Sequence, residues 1–185
     1  MEKAAQALKP EECDASDLRS MVAAARAGDP AALAVLYRRF ADTAMAVAYR
    51  LLLSRADAED VVHDLFLGLP EALRKYDERG ALAGWLKRVT VRLALSRLRS
   101  PSRREVALEE AHAVTTVPVD PAGRIALSEA LAALPASLRT VLVLKEIEGF
   151  SHAEIAGLLG ISRGASEVRL HRALRTLRRA LSEEG

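Results

Sequence analysis

Apolar residues recur along this chain every three to four positions, and glycines and prolines punctuate the recurrence. The pattern predicts a first helix over about 17–27, stopped by Gly28. Asp29-Pro30, a capping residue followed by a first-turn proline, then opens a long second helix. Leu33, Leu36, Tyr37, Phe40, Ala44, Val47, Ala48 and Leu51 give it a continuous apolar face. A third helix is predicted over about 57–73, with Pro70 expected to kink it or end it early. A polar loop from Tyr76 to Gly80 precedes a fourth helix over about 82–99. Its apolar face is expected to carry Leu86, Val89, Leu93 and Leu95 or Leu98.

Residues 100–121 break the pattern. They hold Pro101, Pro118 and Pro121 and show no sustained period, and some twenty such residues inside one compact domain would be unusual. A domain boundary is expected there. Asp120-Pro121 starts a further helix, Leu134-Pro135 breaks it, and the next runs to about Glu148 before Gly149. Ser151 can cap a short helix carrying Ile155, Leu158 and Leu159, which Gly160 ends, and Ser162 can cap the next. Leu170, Leu174, Leu177 and Leu181 form one stripe of that last helix, and Arg172, Arg175 and Arg179 lie roughly opposite. Short helix, tight turn and basic helix make a helix-turn-helix. The expected fold is all-α, with two small helical domains. The expected bounds are a disordered leader over 1–16, a first domain over 17–100, a linker over 101–121 and a second domain over 122–185.

Composition supports this reading. Aromatic residues are 4% of the 185, and much of the apolar half is alanine and leucine, so strand-forming runs are missing. The one cysteine, Cys13, excludes an internal disulfide or a multi-cysteine zinc site, and reads as a bystander thiol. No apolar run approaches the roughly 18 residues of a membrane span, so a cytoplasmic protein without membrane insertion is expected. His63, His112, His152 and His171 lack metal-ligand spacing, and no phosphate-cradling loop or nucleophile elbow occurs. Neither catalysis nor a metal or other cofactor is expected; binding carries the function.

Charge marks three surfaces. Between 163 and 179, six arginines (Arg163, Arg169, Arg172, Arg175, Arg178, Arg179) stand against one acid, Glu167, in a chain whose net charge is only +2. A phosphate-facing helix needs such a local excess, although a basic helix can also be a solvated face. On the third helix Asp57, Asp60 and Asp64 recur at i, i+3 and i+7 with Glu59 nearby, beside Leu65 and Phe66, which are expected to be exposed. The helix dipole accounts for the first-turn acids but not for Asp64. A basic partner helix would suit that stripe. On the fourth helix Lys87, Arg88, Arg92, Arg97 and Arg99 surround the apolar face. Trp85 and Tyr76 could add stacking to a single strand, or Trp85 could simply be core.

These surfaces in this order resemble an extracytoplasmic-function sigma factor. The motifs are DAEDVVHDLFL (57–67), WLKRVTVRLALSRLR (85–99), LPASLRTVLVLKEIEGFSHAEIAGLLGISRG (134–164) and RLHRAL (169–174). The resemblance implies a protein that binds core RNA polymerase and directs it to promoter DNA, commonly under an anti-sigma factor. It implies polymerase contacts at Asp57, Glu59, Asp60, Asp64, Leu65 and Phe66. Minus-ten contacts would fall on Tyr76, Arg79, Lys87, Arg88, Arg92 and Ser96. The helix beginning near Arg163 would read the minus-thirty-five element. There Glu167, Val168, His171 and Arg172 are expected at base edges, with Arg163, Arg169 and Arg175 on phosphates. The linker would pass through the polymerase.

The chain also departs from the family's pattern. Arg92 stands where the family usually has asparagine and Ser96 where it often has aspartate, and a guanidinium cannot copy an amide's donor-plus-acceptor edge. GASEVRLHRA replaces the usual GTVKSRLHRA, so Glu167 brings an acceptor where a cation is usual, and a different promoter preference is expected. Two other functions fit parts of the sequence. A dimeric helix-turn-helix regulator would use the last domain alone, and a decoy would bind polymerase or an anti-sigma factor without melting DNA.

Overall fold

The computed structural model describes residues 15–76, 81–100 and 129–183. The leader as far as residue 14 (with Cys13), residues 77–80, the linker and the Asp120-Pro121 helix start lie outside the described residues. No strand occurs among the described residues, and none of their helices is long and apolar enough to cross a membrane.

The front module holds α1 (Ala15–Arg26), α2 (Pro30–Leu52), α3 (Arg55–Leu67), α4 (Leu69–Arg74) and α5 (Leu82–Arg99). Its helix starts follow local chemistry. The Ala31 amide donates to Asp29 Oδ1 at 2.8 Å with Pro30 in the first turn, and Gly28 takes φ +87° ahead of it. Ser54 caps α3 by accepting from the Asp57 amide at 3.2 Å, so this helix starts slightly earlier than its pattern suggests. It ends at Leu67, because Pro70 is tolerated only in a first turn and therefore begins α4. Arg26 donates to Leu73 O at 3.1 Å and Tyr76 O at 3.5 Å, which ties the end of α1 to the end of α4.

Val22, Leu36, Leu65, Leu69, Leu73, Leu82 and Leu86 share one core cluster. On α5 the fully buried positions are Leu82, Leu86, Thr90, Val91, Ala94 and Leu95. The expected face is thus turned, with Val89, Leu93 and Leu98 only half-buried. The physical reason is that α5 packs on α2 and α3 together and must bury a broader arc than one partner would require. Buried Thr90 remains satisfied by donating its hydroxyl hydrogen to Leu86 O at 2.9 Å.

The rear module begins, among the described residues, with a helical stretch over 129–133 that stops at Leu134-Pro135. Helix α6 (Ala136–Leu142) then widens into a π-helical turn, Val143–Ile147, before Gly149 at φ +78°. Buried Arg139 reaches back to Ala132 O (3.3 Å) and Leu134 O (3.1 Å) and fastens the two helices at their break. Helices α7 (His152–Leu159) and α8 (Arg163–Glu183) close the chain, joined through Gly160 in the left-handed region at φ +66°. Ala130, Leu134, Leu142, Ala173 and Leu177 form the core beneath α8, with Leu170 and Leu174 packed against it. The side chain of Leu181 lies outside the described residues.

A third apolar cluster belongs to both modules. Val47, Leu51, Val91, Ala94 and Leu95 from the front meet Val141, Val143, Leu144, Phe150 and Ile155 from the rear. Among the described residues no helix of one module packs its backbone at length along a helix of the other, so side chains make this junction.

Candidate nucleic-acid interface

The start of α7 shows how tightly the helix-turn-helix is framed. Ser151 and Glu154 form a reciprocal capping box: the Glu154 amide donates to Ser151 Oγ at 3.2 Å, and the Ser151 amide donates to Glu154 Oε2 at 2.9 Å. Between the helices His152 Nδ1 lies 2.9 Å from Ser166 Oγ, and Ser166 is fully buried. His152 therefore ties α7 to α8, a role its polar sequence context does not reveal. The capping contacts from Ser151, backbone first and hydroxyl second, hold the Glu154 carboxyl below its ordinary range, aided by Arg88 and opposed by burial. Because the folded-state pKa is the lower one, this contribution is complete above the unfolded value of about 4.3 and is lost as pH falls through the folded value. Ser151→Ala should cost about 1 kcal/mol, and the mutant should lose less stability than the parent between neutral and acid pH. Thermal melts across that range check both.

On α8 the buried Ala173 and Leu177 set the inner side. Arg163, Glu167, Val168, His171, Arg172 and Arg175 are exposed, and Arg169 is half-buried. Val168 is an exposed apolar side chain, at 50%. Arg163 Nε donates to Glu167 Oε1 at 3.0 Å, so Glu167 is already paired with a neighbouring cation.

On α3 Glu59, Asp60 and Asp64 are exposed and Asp57 is half-buried. Leu65 does not join them. It is 2% exposed, packed with Leu36 and Leu69, because Ala58, Val61, Val62 and Leu65 form the inward stripe of α3. Phe66 is half-buried and meets Tyr37 edge-on with ring centroids 4.8 Å apart, and the exposed apolar residue beside the acids is Leu67, at 68%. Arg97, expected from sequence on a basic face, lies over this stripe instead. It bonds Asp57 at 2.9 Å and also Asp60. The hydrogen bond to Asp57, and the charges of Asp57, Asp60 and Asp64 behind it, raise the pKa of the Arg97 guanidinium against the cost of its burial.

On α5 Arg88, Arg92 and Ser96 are exposed and Lys87 is half-buried. Tyr76 and Trp85 lie 5.1 Å apart between ring centroids, both half-buried against the front core, so Trp85 has a packing role in this conformation. Arg79 is outside the described residues. The helix also faces rear-module residues that the sequence does not single out: Lys87 bonds Glu148 and Arg88 bonds Glu154. No group of three or more histidine, cysteine, aspartate or glutamate side chains that could hold a metal occurs among the described residues.

Comparison with known proteins agrees with this geometry. The profile of Sigma-70 region 2 matches residues 36–104 and that of Sigma-70 region 4 matches residues 124–177. The chain is 34% identical over 168 residues to the ECF RNA polymerase sigma factor SigE of Mycolicibacterium smegmatis, covering 84% of this chain and 65% of that one. It is 30% identical to the ECF RNA polymerase sigma factor SigM of Mycobacterium tuberculosis, covering 87% of this chain and 83% of its relative. Among solved structures it resembles the sigma factor RpoE in complex with the anti-sigma factor NepR from Bartonella quintana, at TM-score 0.59 and 25% identity over 76% of this chain and 91% of the other. CnrH in complex with the cytosolic domain of CnrY gives 0.56 and 28% over 90% and 98%. The chain belongs to the ECF RNA polymerase sigma factors, with the two helical modules of that family in the expected order.

Proposed function

We propose that this sigma factor divides its work by charge. The acidic stripe of α3, namely Asp57, Glu59, Asp60 and Asp64 with Phe66 at its edge, docks on a basic face of core RNA polymerase, with Leu65 supporting it from the core. Tyr76, Arg79, Lys87, Arg88, Arg92 and Ser96 hold the non-template strand of the minus-ten element, and Arg92 favours backbone grip over base reading. Glu167, Val168, His171 and Arg172 read minus-thirty-five base edges while Arg163, Arg169 and Arg175 grip phosphates. The division into 17–100 and 122–185, with 101–121 threading the polymerase, completes the proposal. The chain acts in the cytoplasm by binding alone, without catalysis of its own.

The observation that carries this reading is α8, with exposed Glu167, Val168, His171 and Arg172 on the side away from Ala173 and Leu177. Control by an anti-sigma factor is part of the proposal; RpoE and CnrH, which resemble this chain, were each solved with a partner bound, for RpoE an anti-sigma factor. Run-off transcription with purified core polymerase on a promoter library tests the whole. Specific transcripts that depend on the added protein are expected, and none from any template would refute the reading.

A further inference from the structure

Arg26 is the last residue of α1, half-buried, and its guanidinium spans the end of α4. Nε donates to Leu73 O at 3.1 Å, and Nη2 donates to Tyr76 O at a longer 3.5 Å. Leu73 O also receives the Tyr76 amide at 3.1 Å, so the turn from Leu73 to Tyr76 is gripped at both ends. A cation in the last turn of a helix ordinarily answers the helix dipole, for which lysine would serve as well. Two carbonyls three residues apart instead use the planar fork of fixed N–H directions that only arginine has. The Tyr76 side chain is held from the other side, tilted against Trp85 with ring centroids 5.1 Å apart. Trp85 heads a line on α5: Arg88, Arg92 and Ser96 follow it at i+3, i+7 and i+11 on one face, and all three are exposed.

We propose that Arg26 is a positioning residue for the minus-ten strand: by holding the backbone at Tyr76 it sets the Tyr76 ring at the head of the line formed by Trp85, Arg88, Arg92 and Ser96. The inference rests on the assignment of Tyr76 and α5 to that strand. Arg26 itself touches no DNA in this scheme and acts through Tyr76. Its effect is preorganisation. A ring already fixed beside Trp85 can stack on a strand base without first being ordered, whereas a loosened backbone at Tyr76 would lose that ordering free energy on every encounter. Helix α1, which carries none of the expected polymerase or DNA contacts, thereby gains a part in promoter opening.

The test uses holoenzyme assembled from the full chain and core polymerase, on a promoter that the wild-type chain selects from the library. Permanganate oxidation of unpaired thymines reads strand opening. Arg26→Ala should lower opening about two- to tenfold, the range of one net hydrogen bond, and leave co-purification with core enzyme unchanged. Arg26→Lys keeps the charge but not the fork, and should fall between that variant and wild type. Tyr76→Ala should itself reduce opening, and adding Arg26→Ala to it should cost nothing further, because one residue acts through the other. Thermal melts confirm folding, and Arg26→Lys carries the same cycle if Arg26→Ala does not fold. Equal losses with and without the Tyr76 side chain would make Arg26 a general support of the module and overturn the proposal. Unchanged opening with a folded Arg26 variant, while Tyr76→Ala reduces it, would overturn it as well. Failure of the strand assignment reads differently: Tyr76→Ala would then leave opening unchanged, and the role of Arg26 would fall with it.

Discussion

The double substitution Asp60→Arg with Asp64→Arg should abolish association with core RNA polymerase while leaving the protein folded. Both side chains are exposed, so neither replacement places a cation in the core. The first does remove one of the two carboxylates that hold Arg97. Arg97 keeps Asp57 at 2.9 Å, and an exposed pair of the Asp60 type contributes only about 0–1 kcal/mol. Stability should therefore fall slightly and binding entirely, because reversing two charges turns attraction toward a basic face into repulsion. Co-purification with core enzyme reads the second effect and a thermal melt the first. Retained holoenzyme alongside an intact melt would remove α3 from the docking surface.

Changes on α8 should alter promoter choice and leave assembly intact. Arg172→Ala is expected to cost about 1–3 kcal/mol of promoter binding and to relax preference at one base pair, the signature of a missing base-edge hydrogen bond. Glu167→Lys should act differently. It removes the acceptor available to cytosine N4 and releases Arg163, now bonded to Glu167 at 3.0 Å, toward phosphate. Overall affinity should rise, the preferred sequence should shift, and the dependence on salt should steepen by about 0.9 in log–log slope for each further phosphate neutralised. Selection from a promoter library, repeated at two salt concentrations, measures all three. If both variants chose the wild-type sequences, base reading would have to be assigned to other residues.

Local chemistry makes most helix limits legible from sequence. Asp29-Pro30, Ser151 and Gly160 each act on their own neighbours within a few residues, and each appears in the structure where the sequence pattern places it. Pro70 is legible as a breaker for the same reason. Leu65 is misplaced by the sequence pattern although the information is present: Ala58, Val61, Val62 and Leu65 follow helical spacing, and the run Leu65-Phe66-Leu67 hides which of its members continues that spacing. Arg97, Glu148 and the His152–Ser166 contact are beyond sequence reading in a different way. Their partners are set by how helices cross, and Arg50 and Glu148, nearly a hundred positions apart, share no pattern that a window along the chain could detect.

The π-helical turn at Val143–Ile147 has a consequence for how such chains diverge. A wide turn holds one residue more than regular α winding requires. A descendant that lost a single residue there would return to regular α winding. Four residues at about 100° each turn nearly as far as five in the wider turn, so its rear helices would keep almost the same facing. One codon can thus be gained or lost at this turn while the last two helices hold their aim.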